Sequence, residues 1–210
     1  MNKEFWFKKW KINQIGFHES VANPLLVNNL DSLSLHTGSR VFVPLCGKSL
    51  DVAWLLSQGY KVVAIELVET AIEQLFEGLG VKPEIAELGS LKVYRAPNLD
   101  VFVGDIFNLS KDELGSIDAI YDRAAFVALP EEMRRRYVAH VADISNRAPQ
   151  LLITFEYDET RLSGPPFSHN REQVEQFFTE NYDVTLLTCE EVKGGFKGHL
   201  AKEHIWHLEC

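Results

Sequence analysis

Hydrophobic and polar positions along this chain alternate between two textures. Short runs rich in Val, Ile and Phe recur at 40–44, 61–66, 100–104, 117–122, 150–157, 182–188 and 203–209. Between them, apolar residues recur at the three-and-four spacing of a helix face. Ile72, Leu75, Phe76 and Leu79 form one such stripe, closed by Gly80, and Met133, Tyr137, Val141 and Ile144 form another. Ser49 to Gln58 is apolar on most sides and ends at Gly59, as a helix buried against a sheet does. Asn170 and Gln173 have the spacing of a capping box before Val174, Phe177 and Phe178. Buried strands alternating with helices predict an α/β fold, a doubly wound and mostly parallel seven-stranded sheet. The last two strands have only the Gly-rich stretch 190–204 between them, so they should form a C-terminal antiparallel hairpin. Segment 81–99, punctuated by Pro83, Gly89 and Pro97, reads as an irregular excursion.

Length and charge narrow the picture. The 210 residues, 46% hydrophobic, suit one domain over 1–210 with a full core. A net charge of -9 without a basic stripe argues against nucleic acid as a partner. The run Arg134-Arg135-Arg136 follows the helix-start pattern Pro130-Glu131-Glu132 and is expected on a solvated helix face. Cys46, Cys189 and Cys210 are too few and too scattered for a disulfide framework or a zinc knuckle. No stretch has the length and apolarity of a membrane span, and the N-terminus lacks the apolar core of a signal peptide. A soluble, cytoplasmic monomer is the expectation.

Gly47-Lys48-Ser49 has the ending of a phosphate-binding loop, but the first glycine of that motif would fall at Phe42, inside an apolar run. In an open parallel sheet the ligand sits beyond the carboxyl ends of the strands, and here the first loop, Pro44-Leu45-Cys46-Gly47, makes that approach. Glu66 ends the second strand, where an acidic side chain accepts hydrogen bonds from both hydroxyls of a ribose. The pair points to an adenosine-containing ligand. The pyrophosphate fingerprint G-x-G-x-x-G is absent, which disfavours NAD and an oxidoreductase.

Several motifs occur together and in order: "FWFKKW", "IGFHE", "VFVPLCGKS", "YDRAAFVALP", "MRRRY", "LLITFEY" and "GPPF". This set resembles the thiopurine S-methyltransferase family in its bacterial form, over nearly the whole chain. The resemblance implies a Rossmann-like class I methyltransferase fold, with residues 1–30 as a helical cover over the cofactor. It also implies S-adenosyl-L-methionine as cofactor and S-adenosyl-L-homocysteine as product. By position, Trp10, Leu45 and Glu66 match family residues that touch the cofactor, Glu66 at the ribose. Ile106 falls at the adenine, with Asp105 beside it. Arg123 matches an active-site arginine at the end of the fourth strand, given both a catalytic and a cofactor-binding role. Trp6 lies four residues before Trp10 on one helical face and joins the cofactor set, although such a pair also suits a plain staple onto the core.

Phe17, His18 and Phe167 are expected in the wall of the acceptor pocket, where aromatic faces stack on a flat heterocycle. His204 and His207 point to opposite faces of a strand, so no metal site is expected. Cys46 is read as a packing residue. The resulting expectation is S-methylation of thiopurines or other aromatic or heterocyclic thiols, a small-molecule partner. Selenium or tellurium oxyanions, small thiols, a non-catalytic adenosine-ligand protein or an NAD-dependent oxidoreductase are the alternatives.

Overall fold

A computed structural model gives the fold and describes residues 3–16 and 18–210. Nine strands form one sheet: β1 (Arg40–Pro44), β2 (Lys61–Glu66), β3 (Glu84–Leu88), β4 (Leu91–Ala96), β5 (Leu99–Val103), β6 (Ala119–Arg123), β7 (Gln150–Tyr157), β8 (Asp183–Glu191) and β9 (Ala201–Glu209). Their order is β3-β4-β5-β2-β1-β6-β7-β9-β8. The central five, β5 to β7 in that order, run parallel, and the strands flanking them on both sides are antiparallel. All seven sequence-predicted strands are present, and β8 with β9 forms the expected hairpin.

The two additional strands correct the expectation for segment 81–99. Leu88 pairs with Leu91 across a tight turn whose Gly89 has φ +58°, a conformation that favours glycine. β3 is exposed along nearly its whole length, so it carries no apolar alternation for a pattern search to find. Pro83 and Pro97, which made the segment look irregular, stand just outside the two strands.

Alternating residues explain why the central strands read as unbroken apolar runs. Phe42, Val63 and Ile65 pack into one hydrophobic layer, whereas Val41, Val43, Val62 and Ala64 pack into a second on the opposite face. Helices cover both layers: α1 (Lys3–Lys11), α2 (Pro24–Asn29), α3 (Leu50–Ser57), α4 (Glu69–Leu79), α5 (Lys111–Leu114), α6 (Glu131–Ile144) and α7 (Arg171–Phe178). α4 ends at Gly80 with φ +67°, and α7 opens with the Asn170/Gln173 capping box. Among the described residues, no helix is long and apolar enough to cross a membrane.

The arginine run on α6 departs from a solvated face. Successive helix residues fan out by about 100°, so three in a row cannot share one surface. Arg134 is buried among the rings of Phe126, Phe167 and Phe177 and contacts His169. Burial, with Arg134 adding to it, pulls His169 down to about 3 and keeps the ring neutral. Arg136 stacks 3.9 Å above Phe107. Arg135 pairs with Glu131 at the surface.

Candidate active site

The chain from β1 turns to β2 on one side, and the chain from β6 turns to β7 on the other. The crevice between β1 and β6 is therefore the topological switch point of the sheet. A cavity of about 300 Å³ opens there. Both strands are followed directly by a non-glycine residue of left-handed conformation, Leu45 at φ +47° and Ala124 at φ +60°. Such residues cost roughly 1–2 kcal/mol each and cluster where backbone is shaped around a ligand.

One half of the cavity is built around Glu66. Its carboxylate is buried at the end of β2 and accepts the Gly47 N–H at 2.9 Å and the Val68 N–H at 3.0 Å. Burial raises its pKa, while these backbone donors oppose the shift. Gly47 has φ +53°, which turns its amide toward the acid. Ser49 caps α3, its hydroxyl accepting the Asp51 N–H, and so fixes where the loop stops and the helix begins. Cys46 is buried, and burial together with Glu66 pushes its thiol well up, so it packs rather than reacts.

Asp105 and Ile106 follow β5 and close the same half. Asp105 accepts the Phe107 N–H at 3.1 Å, capping a single 3-10 turn, Ile106–Asn108. Its other oxygen pairs with Lys3 of α1 at 2.8 Å. Although burial acts upward, the Lys3 contact leads the effects that hold this carboxyl below its usual range. Lys3, Trp6 and Trp10 occupy one face of α1 and all line the cavity. Trp10 also packs on Val68 and Ala71, so the staple and the cavity wall are the same side chains.

The other half is a network of long-range side-chain contacts. Arg123, at the end of β6, pairs with Glu19 at 2.8 Å and Asp51 at 3.6 Å. Asp51 is 1% exposed and accepts from the Asn23 N–H at 2.7 Å and the Tyr121 hydroxyl at 2.9 Å. His18 also lines the cavity, and burial, with Lys48 and Arg123 adding to it, lowers its pKa so that the ring is neutral near pH 7. Glu203 of β9 is raised by burial and then by the neighbouring Glu19 charge.

Of the residues expected at the site, Trp6, Trp10, His18, Leu45, Glu66, Asp105, Ile106 and Arg123 all line this cavity. Phe17 lies outside the described residues. Phe167 stands away from the cavity lining: its N–H donates to the Val127 carbonyl, and its ring faces the Arg134 guanidinium. Sequence reasoning passed over Lys3, Asp51, Glu19 and Arg136. The spacing Lys3, Trp6, Trp10 along one helix face is a usable signal for the first, and the place of Glu19 at the end of the IGFHE motif is one for the third; Asp51 carries none.

Fold and site together define a class I S-adenosylmethionine-dependent methyltransferase architecture. Two solved structures share the fold: the 1,6-didemethyltoxoflavin-N1-methyltransferase of Burkholderia thailandensis, solved with S-adenosylhomocysteine, has a TM-score of 0.68 at 14% identity, covering 99% of this chain and 87% of that one. A S-adenosylmethionine-dependent methyltransferase of Anabaena variabilis has a TM-score of 0.67 at 14% identity over 100% and 96%. The chain belongs to the thiopurine S-methyltransferase family, whose model matches residues 1–207. It is 50% identical to the thiopurine S-methyltransferase of Teredinibacter turnerae over 99% of this chain and 97% of that protein. The corresponding protein of Xanthobacter autotrophicus is 48% identical over 100% and 99%.

Proposed function

We propose that this protein transfers a methyl group from S-adenosylmethionine to the sulfur of thiopurines or other aromatic or heterocyclic thiols. The observation that carries the reading is the buried Glu66 carboxylate facing a cavity at the switch point of the sheet. A carboxylate has about four acceptor positions. The amides of Gly47 and Val68, with that of Leu67 beside them, take the positions facing the backbone, and the acceptor capacity that remains is offered to the hydroxyls of a ribose.

When bound, the cofactor supplies an already activated methyl group on a sulfonium. Leu45, Ile106 and Asp105 would frame the adenosine, with Trp6 and Trp10 of the N-terminal cover as a further wall. Arg123, whose guanidinium is held by Glu19 and Asp51, would serve both ligands, bordering the cofactor and stabilising the acceptor as a thiolate. His18 stands at the acceptor side, with Phe17 beside it in sequence. A thiolate needs little acid–base help, so the protein's contribution is alignment, which can be worth roughly 7–11 kcal/mol of barrier. The same reading makes the protein a cytoplasmic monomer, supported by its acidic composition and three unpaired cysteines.

The test is incubation of the purified protein with labelled S-adenosylmethionine and 6-mercaptopurine, with the product located by mass spectrometry. S-methyl product is expected. Cofactor binding without transfer to any aromatic thiol would overturn the acceptor class while leaving the cofactor assignment standing.

A further inference from the structure

Two residues, His18 and Lys48, line both the cavity and a second, open groove of about 550 Å³ between α3 and α4. Leu50, Ala53, Leu75 and Leu79 give the groove apolar sides, and Leu50 is among the exposed large hydrophobic residues of the surface. The neck between the two spaces is thus a cation beside an imidazole that is neutral near pH 7.

The cations around the cavity are mostly committed. Lys3 holds Asp105, Arg123 holds Glu19 and Asp51, and Arg136 lies on the Phe107 ring within the field of Asp105. Among the described residues, Lys48 bonds only the neutral amide of Gln74, at 2.8 Å. Glu77, about one turn from Gln74 on the same face of α4, is the groove's own carboxylate. It repels an anion placed deeper in the groove, so an anionic group is best held at the neck.

We infer that Lys48 seats an anionic group, such as a carboxylate, carried by the methyl acceptor, whose body passes from the cavity beside His18 into the α3–α4 groove. The inference rests on the thiol methyltransferase reading and adds to it a preference for acceptors that are longer than one ring and acidic. The same chemistry is present in the amino-acid carboxylate of the cofactor, and the experiment separates the two sources.

Steady-state kinetics would compare 3-(4-mercaptophenyl)propanoate with its methyl ester for the wild-type protein, Lys48→Gln and Lys48→Arg. Calorimetry would give the Kd of each for S-adenosylhomocysteine. Lys48→Gln should raise KM for the acid roughly tenfold, the size of a partly exposed charge-assisted contact. The ester and the S-adenosylhomocysteine Kd should be unmoved, and Lys48→Arg should restore most of the loss. Equal losses for acid and ester would overturn the inference. Weakened S-adenosylhomocysteine binding would also overturn it, assigning Lys48 to the cofactor. If the wild-type protein methylates 6-mercaptopurine but neither compound, the inference is overturned while the thiol reading stands; if it methylates none of the three, the thiol reading fails and takes the inference with it.

Discussion

The two halves of the cavity are made of different materials. Around Glu66 the structure uses backbone: amides of Gly47 and Val68, a capped helix start, and a left-handed residue at the end of β1, all set by short stretches of chain. Around Arg123 it uses side chains brought from far apart, with Tyr121 and Asp51 separated by 70 positions. A backbone cradle is rigid and varies little with sequence, which suits the half proposed for the cofactor. A side-chain network can be rebuilt by a few substitutions, which suits the half proposed for the acceptor. The two halves meet at Arg123.

The comparison breaks most visibly at that meeting point. Arg123→Ala leaves Asp51 buried without its cation, and breaking a buried pair in this way costs about 3–5 kcal/mol. Urea denaturation should show that loss, and kcat should fall further than affinity for S-adenosylhomocysteine. The opposite order would place Arg123 wholly in the cofactor half.

A smaller effect tests whether the polar anchoring behind Arg123 is strained by charge. Asp122 is fully buried, and burial raises its pKa to about 6, despite donors from Tyr137, Phe126 and Ala125 that favour the ionised form. Because the folded-state value lies above the unfolded one, the associated stability is complete below about pH 4 and is lost as pH rises through 6. Asp122→Asn should therefore be about 1–3 kcal/mol more stable than the wild type at pH 8 and lose that advantage near pH 4. Melts at the two pH values decide it; a pH-independent difference would show that burial does not govern this carboxyl.

The smallest effect belongs to Glu19, whose side chain is 40% exposed where it meets Arg123. Glu19→Gln should cost about 0–1 kcal/mol of stability and leave S-adenosylhomocysteine binding unchanged, with any kinetic change confined to the acceptor KM. A loss as large as that of Arg123→Ala would mean that Glu19, rather than Asp51, holds the guanidinium.

The same contrast explains what could be read from the sequence. The apolar runs of the central strands are buried on both faces and announce themselves; Gly47 and Glu66 sit at strand ends where local spacing marks them. β3 has little buried surface and so left no pattern, and the fan of Arg134, Arg135 and Arg136 depends on what each direction of α6 meets. Arg123 was found through the family motif around it. Its partners Glu19 and Asp51 depend on where the N-terminal segment lands against α3, which no local spacing encodes. The aromatic character of Phe167 points to the acceptor wall, whereas the structure uses that ring to cover Arg134.

The most direct measurement is a calorimetric titration of S-adenosylhomocysteine into the wild-type protein and Glu66→Ala, with a melt of each to confirm folding. Tight binding to the wild type is expected, with a loss of roughly 1.5–3 kcal/mol in the variant as a charged acceptor is removed from the ribose. Unchanged affinity in a folded Glu66→Ala protein would contradict this, because the β1–β2 half of the cavity would then not be the adenosine site.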